Sequence, residues 1–204
     1  MNILTVLPMA FVMVAGPQIL SAIFLATSED WRRNSAAFLA GAALSISLFV
    51  GIAYVVGRGI NSAGGDDTLD ILVLVLLVGA GINTFLTRKT AEPPKWMGRL
   101  QAATPKVSFG LGFLLLGVFP TDILTSWAVG SYLSNHGDPW WHLLPFLVLT
   151  LLLLALPSLL LLLLGRRARA FMPKARDWMN ANSWIVNEFV IAFFFGVTAN
   201  SLAG

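Results

Sequence analysis

Cysteine is absent from the 204 residues, so disulfides, thiolate metal sites and thiol redox chemistry are excluded for this chain. Charge is also scarce, at 11% of residues against 57% hydrophobic, with a mean hydropathy of +0.79. That balance excludes an ordinary soluble domain. The sequence carries no phosphate-cradling glycine loop, no Ser-His-Asp order and no zincin motif, so no enzymatic activity and no cofactor are expected. The net charge of +3 and pI near 9.7 suggest nucleic acid at first. The basic residues, however, sit in short connections between apolar runs, where they set membrane topology instead.

What the chain does have is long apolar runs. Six windows, roughly 3 to 28, 35 to 57, 69 to 87, 107 to 133, 142 to 164 and 184 to 203, are long enough to cross a bilayer core as helices. They do not alternate, which argues against barrel strands. The first lacks Lys or Arg ahead of its apolar run and continues past Pro17, so it is expected to be a retained span and not a signal peptide. Lys and Arg number two, five and five in the first, third and fifth connections, and one and none in the second and fourth. The odd connections are therefore expected in the cytoplasm and both termini outside.

The fold expected is an all-α integral membrane domain over 1 to 204, built as a 3+3 inverted repeat. One three-helix repeat covers 3 to 87 and the other 107 to 203, joined by a basic cytoplasmic linker at 88 to 106. Helices 1 and 4 are each expected to be broken at a proline. Pro17 precedes Gln18-Ile19-Leu20-Ser21-Ala22, and Pro120-Thr121 precedes Asp122-Ile123-Leu124-Thr125-Ser126. Two further matches run in the same order: Gly79 to Thr84 with Gly196 to Ser201, and Gly57-Arg58 with Gly165-Arg166, each pair ending a span.

Paired proline-interrupted segments point to a transporter site. The expected substrate- or proton-binding residues are Pro17, Gln18, Ser21, Pro120, Thr121, Asp122, Thr125 and Ser126 near the midplane, with Asn83 and Asn200 toward opposite faces. Gly16 and Gly117 should ease unwinding beside the prolines. Asp122 is central, because an acid at this depth costs roughly 2.5 to 3.5 kcal/mol on insertion scales and so marks a pathway or a relay. A carboxyl of this kind can couple proton entry to substrate movement. The same residues also allow a plainer reading, a structural kink with Gln18 and Asp122 bonded to each other. Glu188, about one turn into the sixth window, is either a gate or an interfacial acid.

Elsewhere the residue pattern suggests anchoring. The fifth connection sets Phe171, Met172, Trp178 and Met179 beside basic residues, as in a helix lying on the inner leaflet, with Pro173 suited to its start. His136, Asp138 and His142 flank Trp140-Trp141, which reads as an aromatic belt; two histidines without a third firm ligand make no metal site. The leucine-rich fifth window, with Pro157 at a kink, should face lipid. The second, rich in Ala, Gly and Ser, should sit inside the bundle or at a contact with a second copy.

Gly16-Pro17-Gln18 with the following ILSAIFLATSEDWRRNSAAFLAG, and Phe119-Pro120-Thr121-Asp122, resemble the lysine exporter (LysE) superfamily. Within it the chain is most similar to the GAP family, the peptidoglycolipid- and sulfolipid-addressing proteins of actinobacterial envelopes. The resemblance implies a 3+3 inverted repeat in the bacterial cytoplasmic membrane and export or flipping of an envelope lipid, glycolipid or lipid-linked glycan. The alternatives are export of a small polar metabolite or cation such as an amino acid, or an accessory subunit beside a partner exporter. Membrane lipids and a lipid or small-molecule substrate are the partners expected, with no nucleic acid. Lipid cargo further predicts a lateral opening between helices with basic residues at its inner mouth.

Overall fold

The computed structural model describes residues 7–14, 16–60, 100 and 102–182. Among these all regular structure is helical. The expected third and sixth spans lie outside the described residues, as do Asn83, Asn200, Glu188, the paired Gly79 and Gly196 stretches and most of the linker.

The chain opens with two short helices, α1 (Leu7–Val14) and α2 (Pro17–Ala26). Gly16 separates them with φ of 97°, a conformation that only glycine adopts without strain. The proline that follows has no N–H to lose at a first helical position, so it starts α2. α3 (Trp31–Ile60) is a single 30-residue helix, of which Trp31–Val56 is long and apolar enough to cross a membrane. The crossing segment stops just before Gly57, as expected, but the helix does not. Glycine in a helix interior costs only about 1 kcal/mol, so Gly57 does not end α3.

Next come α4 (Pro105–Val118) and α5 (Pro120–Asn135), bent by 66° at Phe119, which form one broken span if counted together. Thr104 caps α4 by accepting the Val107 N–H. A 3₁₀ turn at Trp140–Leu143 leads into α6 (Leu144–Leu164), and Trp140–Leu164 is the second stretch long and apolar enough to cross a membrane. Pro157 lies inside α6 without ending it. Gly165, at φ of 51°, does end it. α7 (Arg166–Ala181) then starts seven residues ahead of Pro173, which was expected to open it. Pro173 is exposed, so water can take the carbonyl that it frees one turn back.

α3 is the wall on which α4 and α5 are built. Phe38, Ala42, Ile46, Val50 and Tyr54 recur every fourth residue along its buried ridge, while Leu44, Leu48, Ile52 and Val55 are exposed. Lipid tails are as apolar as leucine, so close backbone approach has to hold such helices together. A Cβ on Gly41 would strike the Phe109 carbonyl, and one on Gly112 the Phe38 carbonyl. Gly117, expected to ease unwinding, stays in α4 and leaves room for Ser45 and the Phe49 ring. Ser45 adds a hydrogen bond to the Phe113 carbonyl at 2.8 Å. On α6, Phe146, Thr150, Leu154, Ser158 and Leu161 face inward, and Leu144, Val148, Leu152 and Leu156 outward.

The two ends of the bundle differ. At one end, Tyr54 near the end of α3 donates to the Asp138 carbonyl at 2.8 Å, beside exposed Trp140 and Trp141. At the other, Ile23, Ala26, Leu161, Ala168 and Met172 form a small cluster flanked by Trp31. Arg32, Arg33 and Arg167 therefore gather, with Trp31, at the end opposite Trp140 and Trp141, so that aromatic residues stand at both ends and these basic residues at one, a pattern typical of membrane proteins.

Candidate functional site

The two proline-headed helices, α2 and α5, bring their first turns together. Gln18 is the second residue of α2 and Asp122 the third of α5. The Gln18 side-chain amide Nε2 donates to Asp122 Oδ2 at 2.5 Å, 104 residues away in sequence. Both side chains are buried, at 1% and 0% exposure. Neither helix start has a side-chain cap. Asp122 itself lies in the first turn of α5, where the positive end of the helix dipole, equivalent to about half a unit charge, favours a negative group.

Ser21 follows Gln18 by three residues and Ser126 follows Asp122 by four, spacings that keep each pair on one helix face. Both serines are buried, and so is Thr125. The Thr125 hydroxyl is satisfied on its own helix by the Thr121 carbonyl, at 2.7 Å. Four atoms here have no partner: Gln18 Oε1, Asp122 Oδ1, Ser21 Oγ and Ser126 Oγ. They are half of the eight such side-chain atoms among the described residues. An orphaned buried polar atom costs about 1–3 kcal/mol, so their concentration in one place makes this the candidate ligand-binding centre among the described residues. Among the described residues no Lys, Arg or His forms an ion pair with Asp122.

Both sequence readings of this region are partly present. Gln18 and Asp122 do bond across the contact, as a structural kink requires, yet each keeps an oxygen free. Pro17 is half-buried at the head of α2, Pro120 heads α5, and Thr121 contributes its carbonyl to Thr125. The chemistry offered is hydrogen bonding to a hydroxyl, an amide or a proton. One carboxylate with an amide and hydroxyls is a thin ligand set for a divalent ion such as calcium, which takes six to eight oxygens.

His142 pairs with Asp138, and His136 goes to a separate partner. His136 Nδ1 lies 2.9 Å from the Tyr132 carbonyl and its ring stacks on Tyr132 at 4.1 Å, while His142 Nδ1 lies 3.2 Å from Asp138 Oδ1. Among the described residues no three His, Asp or Glu converge to hold a metal.

Sequence reasoning missed Asn34. It is fully buried, and its Nδ2 donates to Ser28 Oγ and to the Ala103 carbonyl, both at 2.9 Å. That ties the start of α3 to the segment entering α4. The only available signal was an amide directly after Arg32-Arg33 at the head of an apolar helix.

Against models of known families, residues 6–201 match the family described as Sap, sulfolipid-1-addressing protein. No curated protein and no solved structure matches the chain.

Proposed function

The chain belongs to the sulfolipid-1-addressing protein family, and from that premise we propose that it is a membrane transporter that exports or flips an envelope lipid, glycolipid or lipid-linked glycan. The observation that carries this reading is the Gln18–Asp122 pair, held where two interrupted helices meet, each partner keeping one unpartnered oxygen, with the unpartnered hydroxyls of Ser21 and Ser126 one turn on. A site that only held helices together would have no reason to leave those atoms unsatisfied. In this proposal Asp122 carries the coupling proton, while Gln18, Ser21 and Ser126 meet the polar part of the cargo.

The wider frame belongs to the same proposal. The chain has six spans arranged as a 3+3 inverted repeat of the lysine exporter superfamily, in the bacterial cytoplasmic membrane, with the basic connections inside and the termini outside. The two proline-headed helices support it, because an inverted repeat brings equivalent breaks together at the membrane centre. No step of this function requires enzymatic chemistry.

The direct hydrogen bond favours one competing reading, in which the polar pair is helix glue in a non-transporting accessory subunit of an exporter. The test is translocation of a fluorescent sulfated glycolipid by purified protein in liposomes under an imposed pH gradient. Wild type is expected to move the probe faster with the gradient, and Asp122→Asn, which keeps the size and cannot exchange the proton, to lose that movement at normal expression. Full transport by Asp122→Asn removes the proton role. No transport by wild type, with a larger exporter retained on purification from the native membrane, moves the assignment to the accessory subunit.

A further inference from the structure

A second place in the fold has the features of a ligand site. Between the first turns of α3 and the last turns of α6 lies a crevice of about 400 Å³, lined by Trp31, Arg32, Ser35, Leu39, Ser158 and Leu162. That volume sits at the low end of ligand clefts, which run from about 300 to 1,000 Å³. It suits a headgroup with the first part of a chain better than a whole lipid.

Its walls are of two kinds. Leu39, Leu162 and the Trp31 ring are apolar, and beside them Leu163 and Leu164 at the end of α6 are exposed. The polar side is Arg32, whose guanidinium is exposed and rests over the Trp31 ring, 5.3 Å from its centre. Stacking of this kind holds the planar donor group in place while leaving its N–H edge free. Glu29 and Asp30 precede α3 and are exposed, yet neither is within ion-pair distance of Arg32. Ser35, one turn on, is 8% exposed and its hydroxyl has no partner.

From these features we infer that the crevice binds one anionic lipid, its phosphate or sulfate on Arg32 and Ser35 and the start of a chain along Leu39 and Leu162. A free anion would leave the apolar wall bare. A zwitterionic lipid would bring a second cation against the arginine. The site lies at the basic end of the bundle, the end assigned above to the cytoplasm. Its role as the cargo entrance rests on the transport reading; the binding does not.

Native mass spectrometry of purified protein tests this, with phosphatidylglycerol and phosphatidylcholine of identical chains as probes. Wild type should retain phosphatidylglycerol preferentially, and Arg32→Gln should cut that preference about tenfold, as loss of a charge-assisted hydrogen bond does. Arg33→Gln, the exposed neighbour outside the crevice, should change it less. Ser35→Leu should lower retention by filling the space with Arg32 intact. Inorganic phosphate at the lipid's concentration should not displace the lipid.

Equal retention of both lipids by wild type overturns the inference, as does an equal loss in Arg33→Gln or displacement by phosphate. Should the crevice fail this way while Asp122→Asn still abolishes transport, the transport reading stands without it. If the lipid preference follows Arg32 while Asp122→Asn transports fully, the crevice stands and the transport centre fails.

Discussion

Removing both members of the buried pair should harm stability less than removing either one. In Gln18→Leu, Asp122 keeps both oxygens buried and loses its sole donor. In Asp122→Leu, the Gln18 amide is left with neither end paired. Each orphaned group costs about 1–3 kcal/mol. The double variant orphans neither residue and buries two apolar side chains, a replacement that is often neutral or stabilising. Hydrogen bonds inside membranes average only about 0.6 kcal/mol in double-mutant cycles, with a maximum near 1.7. A coupling of about 1–2 kcal/mol is expected here, above that average and reaching its maximum, because each single change leaves full desolvation uncompensated. Reversible unfolding of the four proteins in mixed micelles measures it, with lipid translocation recorded alongside. Transport should fail in all three variants, including the stable double. Additivity within about 0.5 kcal/mol would show that the two residues do not depend on each other, and refute the pairing. A double variant that is stable and transports would refute the site.

Two glycine substitutions separate close packing from chain freedom. Gly112→Ala drives a Cβ into the Phe38 carbonyl, with the Ala42 nitrogen at 3.1 Å behind it. It should therefore cost about 1–3 kcal/mol in the same unfolding measurement. Gly110→Ala, two residues away with nothing within 4 Å, should be neutral or up to about 1 kcal/mol stabilising. Gly16→Ala places a side chain at φ of 97°. It should cost at least about 1 kcal/mol, and because Gly16 sets where Gln18 points, it should slow translocation beyond what the lost stability explains.

The helix breaks were legible in the sequence because proline acts through its own missing N–H and fixed φ, which need no tertiary partner. Pro17 and Pro120 head their helices, and the acid that follows Pro120 is buried, as expected of an ionisable group placed so deep. Glycine and proline elsewhere were less legible, since one residue type serves several ends. Gly117 makes room for Phe49, Gly57 stays within α3, and Pro173 rides on the exposed side of α7. Ser45, read as part of a small-residue face for close helix contact, is buried against α4, whereas Asn34 and Ser35 were not legible as interior groups, because which way a small polar side chain points is settled by the neighbour it meets.

In the proposed transporter the depth of the pair rests on helix geometry more than on hydropathy. α2 runs ten residues from Pro17, at the pair, to Ala26, in the cluster at the basic end. At 1.5 Å per residue this is about 15 Å, half of a hydrocarbon core about 30 Å thick. α5 leads away from the pair for 16 residues, about 24 Å, toward the tryptophan end. In the proposed transporter, two helices that start together and run to opposite ends place their shared first turns near the membrane centre, where water cannot satisfy an orphaned oxygen and a substrate or a proton can.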